Sequence, residues 1–275
     1  MIVKNEERRL HDCISPVRDL FAEIVLVDTG SWDTTREIAN RLGARVFSFP
    51  WRDHFGAARN ESLRHARGEW IFWLDADDRI EADHRARLKR HFDSLRDPLE
   101  AFTMMRVEHS NGSGPAIPEC RLFPNRPGIR WEGAIHEDVL PSARRAGCRI
   151  TETSIEVLHL PDPAEMERRA QRDLRLLARE LRLNPANSRT LFYLGRLHQS
   201  LGQPTEAIRH YRESLRYARG SDEWVPWLYA NLSQVLRKQR RDVEALALAR
   251  QGISRFPNDP KVRKCLRDLL EAAAS

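Results

Sequence analysis

Several things are scarce in this chain of 275 residues, and each scarcity excludes something. There are four cysteines, Cys13, Cys120, Cys148 and Cys265. They are scattered, with no Cys-x-x-Cys spacing, so neither a thiolate metal site nor a disulfide framework is expected, and a reducing cytosol is the natural setting. No apolar run approaches the roughly 20 residues of a membrane span. The opening Met1-Ile2-Val3-Lys4-Asn5-Glu6-Glu7 has no apolar core of the kind a secretory leader needs. No zinc-finger spacing or aromatic-basic RNA motif is present, so no nucleic-acid partner is expected. A Gly-rich basic phosphate loop is also missing after the first apolar segment.

What remains reads as soluble and globular: 41% hydrophobic and 31% charged residues. The net charge is +6, carried mostly by arginine with acids interspersed. Such a balance suits anionic partners, but a generally arginine-rich proteome accounts for it equally simply.

The first 160 residues alternate between strand-like and helix-like segments. Glu23-Ile24-Val25-Leu26-Val27-Asp28 is an apolar run closed by an acid, as in a buried strand. Thr29-Gly30-Ser31 turns, Asp33 is placed to cap a helix through Leu42, and Gly43 ends that helix. Ala44 to Phe49 reads as a strand, Phe55 to Arg67 as a helix, and Glu69 to Leu74 as a third, very apolar strand. Ala82 to Leu95 is helical, with Asp78 expected as its cap. This alternation predicts a largely parallel sheet covered on both faces. Beyond Leu99, strands are expected at Ala101 to Val107, Glu119 to Phe123 and Arg149 to His159. Between them lie irregular loops such as Asn111-Gly112-Ser113-Gly114-Pro115.

Pro161-Asp162-Pro163 breaks the pattern, giving expected domains at 1–162 and 163–275. The second is helical and repetitive. Leu191, Leu194, Gly195, Ala207 and Tyr211 recur 38 residues later as Tyr229, Leu232, Ser233, Ala245 and Ala249, with Pro257 closing the second unit. The spacing is tetratricopeptide-like, with small residues where paired helices approach closely. His198 replaces the usual Tyr. Such a part offers either a protein-binding groove or a packing and dimerisation surface.

Three elements carry candidate chemistry. Asp75 and Asp77 follow an apolar strand, where α/β sheets place ligands. Carboxylates at i and i+2 project to one side and suit a hard cation such as Mg²⁺ or Mn²⁺ bridging substrate phosphates. Asp28 ends a buried strand 47 residues earlier, placed for a base or ribose. Ala57-Ala58-Arg59-Asn60 opens a helix, and Arg59 presents a fork of donors for a diphosphate or base. Taken singly, each of these has a structural reading: a capped loop, an N-cap with its turn, a solvated helix face.

Together they resemble the family 2 glycosyltransferases, most closely the bacterial subgroup joined to tetratricopeptide repeats. The shared pattern runs from Met1-Ile2-Val3-Lys4-Asn5-Glu6-Glu7 through Asp28-Thr29-Gly30-Ser31-x-Asp33, Phe49-Pro50-Trp51-Arg52-Asp53-His54-Phe55 and Ala57-Ala58-Arg59-Asn60. It continues with Leu74-Asp75-Ala76-Asp77, Trp131-x-Gly133-x-Ile135-His136-Glu137 and Leu158-His159.

The resemblance implies an α/β GT-A fold and an inverting, metal-dependent transferase of hexosyl or N-acetylhexosaminyl type. The donor would be a nucleotide sugar, usually of UDP, and the acceptor a glycan, lipid-linked sugar or peptide. Asp28, Arg59 and Asp75 would bind the nucleotide; Asp77, Asp75 and His159 would hold Mg²⁺ or Mn²⁺; Trp131 and His136 would shape the acceptor or sugar pocket. Glu137 and Asp138 fall on the acidic pair that supplies the catalytic base, with Glu137 in the more constant part of the pattern. The implied location is cytoplasmic, with the inner membrane face as a peripheral option.

Family members carry several apolar residues before the equivalent of Met1, so the chain is expected to start in mid-strand. The rival reading is a non-catalytic scaffold with a decayed front domain; the joint presence of Asp28, Asp75, Asp77 and Glu137 argues against decay. A nucleotidyltransferase would carry the phosphate loop that Lys4-Asn5-Glu6-Glu7 is not.

Overall fold

The computed structural model describes residues 1–108 and 116–274. The chain divides into two compact units, Met1–Met166 and Glu167–Ser275. The expected Asn111–Pro115 loop lies outside the described residues.

The first unit opens with β1 (Ile2–Val3), α1 (Leu10–Ile14), β2 (Val25–Asp28), α2 (Thr35–Arg41), β3 (Arg45–Ser48) and α3 (Phe55–His65). β1, β2 and β3 form a three-stranded parallel sheet, with Val3 opposite Asp28 and Asp28 opposite Ser48. Leu26 and Val27 are fully buried, as an uninterrupted apolar strand in a covered parallel sheet must be. The parallel register brings Val3, Asp28 and Ser48 to one end of the sheet. There Asp33 turns its carboxylate to the Thr35 amide (3.0 Å) and hydroxyl (2.5 Å), just ahead of α2.

The chain continues with β4 (Trp70–Phe72), β5 (Asp78–Arg79), α4 (Ala82–Ser94), β6 (Glu100–Glu108), β7 (Ala116–Pro124), α5 (Leu140–Arg145) and β8 (Arg149–His159). These five strands form a second sheet in the order β4-β7-β6-β8-β5. The third apolar strand therefore does not extend a parallel sheet. β4 pairs antiparallel with β7, Phe72 opposite Leu122, while β6 and β8 run parallel. The long β6 and β7 strands each offer nine residues of ladder, and the short β4 joins them as an edge. Its side chains pack in a core with Leu88, Phe102, Met104, Leu122 and Val157.

A second expectation is corrected at Asp78. It does not cap α4, which starts four residues later behind Glu81. β5 pairs Asp78 with His159 in the sheet, which turns the carboxylate inward, fully buried.

The second unit is helical: α6 (Met166–Leu183), α7 (Ser188–Ser200), α8 (Pro204–Tyr217), α9 (Val225–Lys238), α10 (Asp242–Arg255) and α11 (Pro260–Ala274). Pro204, Pro226 and Pro260 lie in first turns, where the missing N–H costs nothing. α7 pairs with α8 and α9 with α10, around a core of Phe192, Ala207, Tyr211, Leu228, Ala245 and Ala249. A Cβ added at Gly195 would lie 2.4 Å from the Tyr211 ring, so glycine is what permits that approach. Among the described residues no helix is long and apolar enough to cross a membrane.

Candidate active site

Strand ends, one helix start and one strap build the site in the first unit. Asp28 ends β2, is 3% exposed, and accepts from the Ser31 amide at 3.0 and 3.3 Å. Gly30 between them has φ +110°, a conformation that L side chains rarely adopt. The Phe49 amide donates to the Asp28 carbonyl, so the aromatic stretch leaves the sheet beside this acid. Trp51 donates to Asp53 and packs edge-on against Phe55. His54 then caps α3, its Nδ1 accepting from the Ala57 amide at 3.0 Å.

Arg59 projects from the first turns of α3 and is buried. Its Nη2 donates to both Asp75 oxygens at 2.9 and 3.1 Å, and its Nε donates to Glu137 at 2.6 Å. The guanidinium lies 4.4 Å from the Trp73 ring centre and 4.9 Å from that of Trp131, which cross at 87°. Burial works against the charge on Arg59, but the two carboxylates outweigh it and hold the group cationic beyond its usual range. Cys13 donates its thiol to the Asp75 carbonyl, and burial pushes that thiol pKa up, so it stays protonated and unreactive.

The strap from Trp131 to Asp138 crosses the start of α3. The Phe55 amide donates to Ala134 O at 2.7 Å, and Asn60 clasps both backbone groups of Trp131. Gly133 has φ +101°, and a Cβ on Gly56 would lie 2.5 Å from its carbonyl. Glu132 and Asp138 pair across the base of the strap, forcing the turn that leaves exposed His136 at φ +50°. Asp138 also accepts from the Leu140 amide at 2.9 Å, at the start of α5.

The third group is Asp77, Asp78 and His159, whose donor atoms lie within 4.8 Å of one another. His159 Nδ1 stands 3.5 Å from Asp77 and 3.1 Å from Asp78. Asp78 also receives Arg121 Nη1 at 2.5 Å and the Asp75 amide at 2.9 Å. Burial disfavours the charged Asp78, but Arg121, His159 and the amide prevail and keep it ionised well below the ordinary carboxylate range.

Of the residues singled out in the sequence, the fold brings Asp77 to His159 and Arg59 to Asp75 and Glu137. Asp75 faces Arg59, and the carboxylate that joins Asp77 and His159 is Asp78. Trp131 is 6% exposed, lies against the Arg59 guanidinium and meets Trp73 edge-on. Sequence reasoning missed Asp78 in this role, and with it Arg121 and Trp73. The available signal was an arginine inside the apolar run Cys120-Arg121-Leu122-Phe123, which only a buried partner explains.

The donor chemistry fits a hard divalent cation. Two carboxylates and one imidazole are the ligand types available. Asp75 and Glu137 face Arg59, Asp78 faces Arg121 and Asp77 faces His159, while Glu119 beside Arg121 is matched by Arg106.

Residues 1–132 match the model of glycosyl transferase family 2, and residues 186–258 match a tetratricopeptide repeat model. The chain thus joins a segment similar to family 2 glycosyl transferases to one similar to tetratricopeptide repeats. A TPR repeat-containing protein of Synechococcus elongatus is 39% identical over 137 residues, covering 50% of this chain and 34% of that protein. The SPbeta prophage-derived glycosyltransferase SunS of Bacillus subtilis is 26% identical over 238 residues, covering 81% of this chain and 54% of the relative. The chain therefore spans about a third and about half the length of these two curated relatives. Among solved structures, S. aureus TarS aligns with a TM-score of 0.48 at 16% identity, over 89% of this chain and 52% of its own.

Proposed function

We propose that the chain transfers a hexose or N-acetylhexosamine from a UDP-sugar to a nucleophilic acceptor, with inversion and with help from Mg²⁺ or Mn²⁺. The observation that carries this reading is the Arg59 junction, a buried guanidinium joining Asp75 to Glu137 beside the Asp77–His159 group. Asp28 and Asp75 bind the nucleoside, and Arg59 orders the floor beneath it. Asp77 and His159 would hold the ion, which when bound neutralises the diphosphate leaving group. Trp131 and His136 shape the acceptor side.

The acidic pair divides its work. Glu137 is spent on Arg59, whose Nε donates to it at 2.6 Å, so its carboxylate is held in the ion pair. Asp138 then takes the acceptor proton while the new bond forms at the anomeric carbon and the bond to the diphosphate breaks on the opposite face. A single in-line displacement inverts configuration. The acceptor is a glycan, a lipid-linked sugar or a peptide, and the helical unit binds a protein partner or a second copy.

Titrating UDP calorimetrically into the protein, with and without Mn²⁺, tests the site. Metal-dependent binding that disappears in Asp77→Ala is expected. UDP binding that Mn²⁺ does not strengthen, or no binding at all by folded protein, refutes the site, and retained configuration by NMR refutes the displacement.

A further inference from the structure

Arg121 presents a problem that stability does not solve. It is 1% exposed, lies within β7, and its Nε has no hydrogen-bond partner among the described residues. A buried ion pair is no more stabilising than well-packed apolar residues of the same volume. Its other two nitrogens each donate to an acid, Nη1 to Asp78 at 2.5 Å and Nη2 to Glu119 at 2.7 Å. The guanidinium is 3.8 Å from the centre of the Trp73 ring, the ring that also receives Arg59. An indole N–H donated to the Cys120 carbonyl at 2.6 Å fixes that ring.

The consequence appears at Asp78. One oxygen takes Arg121 and the Asp75 amide, and the other takes His159. The ring nitrogen Nδ1 of His159 faces two carboxylates, Asp77 and Asp78, which accept and cannot donate when ionised. Nδ1 is therefore the donor, and in the neutral ring the lone pair of His159 is on Nε2. A histidine that donates one ring N–H to a buried carboxylate and presents the other nitrogen is oriented as metal-bound histidines are.

We propose that Arg121 is a positioning residue of the cation site: it holds one oxygen of Asp78 while the other oxygen orients His159, so that Asp77 and His159 Nε2 serve as the protein's ligands. This assignment rests on the metal-dependent transfer proposed above. It makes Asp78, the third acid of the cluster, a support and not a ligand.

The test is Mn²⁺ affinity, read from the electron paramagnetic resonance of free Mn²⁺ in the presence of UDP. Arg121→Lys, Asp78→Asn and Asp77→Asn are compared with wild type, with urea unfolding and UDP affinity in chelator as parallel readouts. Supporting carboxylates and their partners are worth roughly ten- to a hundredfold in metal affinity. Arg121→Lys and Asp78→Asn should each weaken Mn²⁺ by about that factor while UDP binding in chelator is unchanged; Asp77→Asn should abolish Mn²⁺ binding. Folded Arg121→Lys with wild-type affinity overturns the proposal. So does loss in Asp78→Asn as complete as in Asp77→Asn, the reading that remains if the lysine variant unfolds. Wild-type protein that binds UDP but no Mn²⁺ overturns the metal reading and this assignment together.

Discussion

Replacing Arg59 with leucine should unfold much of the first unit's margin of stability. The side chain is 7% exposed and joins two carboxylates under two indole rings. Removing one partner of a buried ion pair costs about 3–5 kcal/mol, because the remaining charge is left in a poor solvent. Here two carboxylates are stranded, although Asp75 is 31% exposed at its side chain and recovers part of its hydration. The two cation–π contacts add about 0.5–1 kcal/mol each. A loss of about 4 kcal/mol follows, against a total of about 5–15 kcal/mol for a domain. With a urea dependence of about 2 kcal/mol per molar, the midpoint falls by roughly 2 M. Hydrogen exchange read by mass spectrometry scores residues 1–166 separately from 167–275, and only the first set should lose protection. In a Glu137→Gln background the same substitution should cost at least about 1 kcal/mol less, since neighbours sharing one partner couple. A midpoint shift under about 0.5 M, or no coupling to Glu137, refutes the junction as the centre of this site.

Three further outcomes follow from other parts of the molecule. Asp138→Asn should lower kcat by at least about a hundredfold with UDP affinity intact, whereas Glu137→Gln should weaken UDP binding as well; steady-state kinetics beside calorimetry separates them. His210 is 5% exposed; burial first, then the charges of Arg209 and His198, lower its pKa to about 4. The unfolded chain, titrating near 6.5, therefore binds the extra proton between those values. The helical unit should keep full stability above pH 6.5 and lose up to about 3 kcal/mol as the pH falls to 4, an effect absent in His210→Phe. Gly195→Ala sets a methyl against the Tyr211 ring at the α7–α8 crossing and should cost about 1–3 kcal/mol, measured by the thermal midpoint of the helical unit.

Much of this was legible because the relevant signals are local. Val25 to Asp28 and Phe55 to His65 follow from apolar runs with their stops. The helical pairs follow from the offset that carries Gly195 and Tyr211 onto Ser233 and Ala249. The placement of β4 was not legible. A run such as Trp70-Ile71-Phe72 is apolar enough for either a parallel or an antiparallel neighbour, and the choice was made by β7, some 50 residues downstream. The same holds for the acids. Asp75, Asp77 and Asp78 look interchangeable in sequence. Their separate partners, Arg59, His159 and Arg121, come from α3, β8 and β7, so only long-range packing tells them apart.

The contact between Gly56 and the Gly133 carbonyl has a further consequence. It joins α3, which carries Arg59, to the strap that carries Glu137, and it leaves less room than one methyl group. The spacing between helix and strap is thereby set by main chain alone, which thermal motion of side chains does not blur. Under the proposed function, altering acceptor preference by redesign would then mean changing the residues on either side of that joint, such as Trp131, Glu132 and His136, while positions 56 and 133 stay bare. A larger acceptor could be accommodated by widening the strap's outer turn, but not by lifting the strap from the helix, since that would carry Glu137 away from Arg59 and open the ion pair on which both halves close.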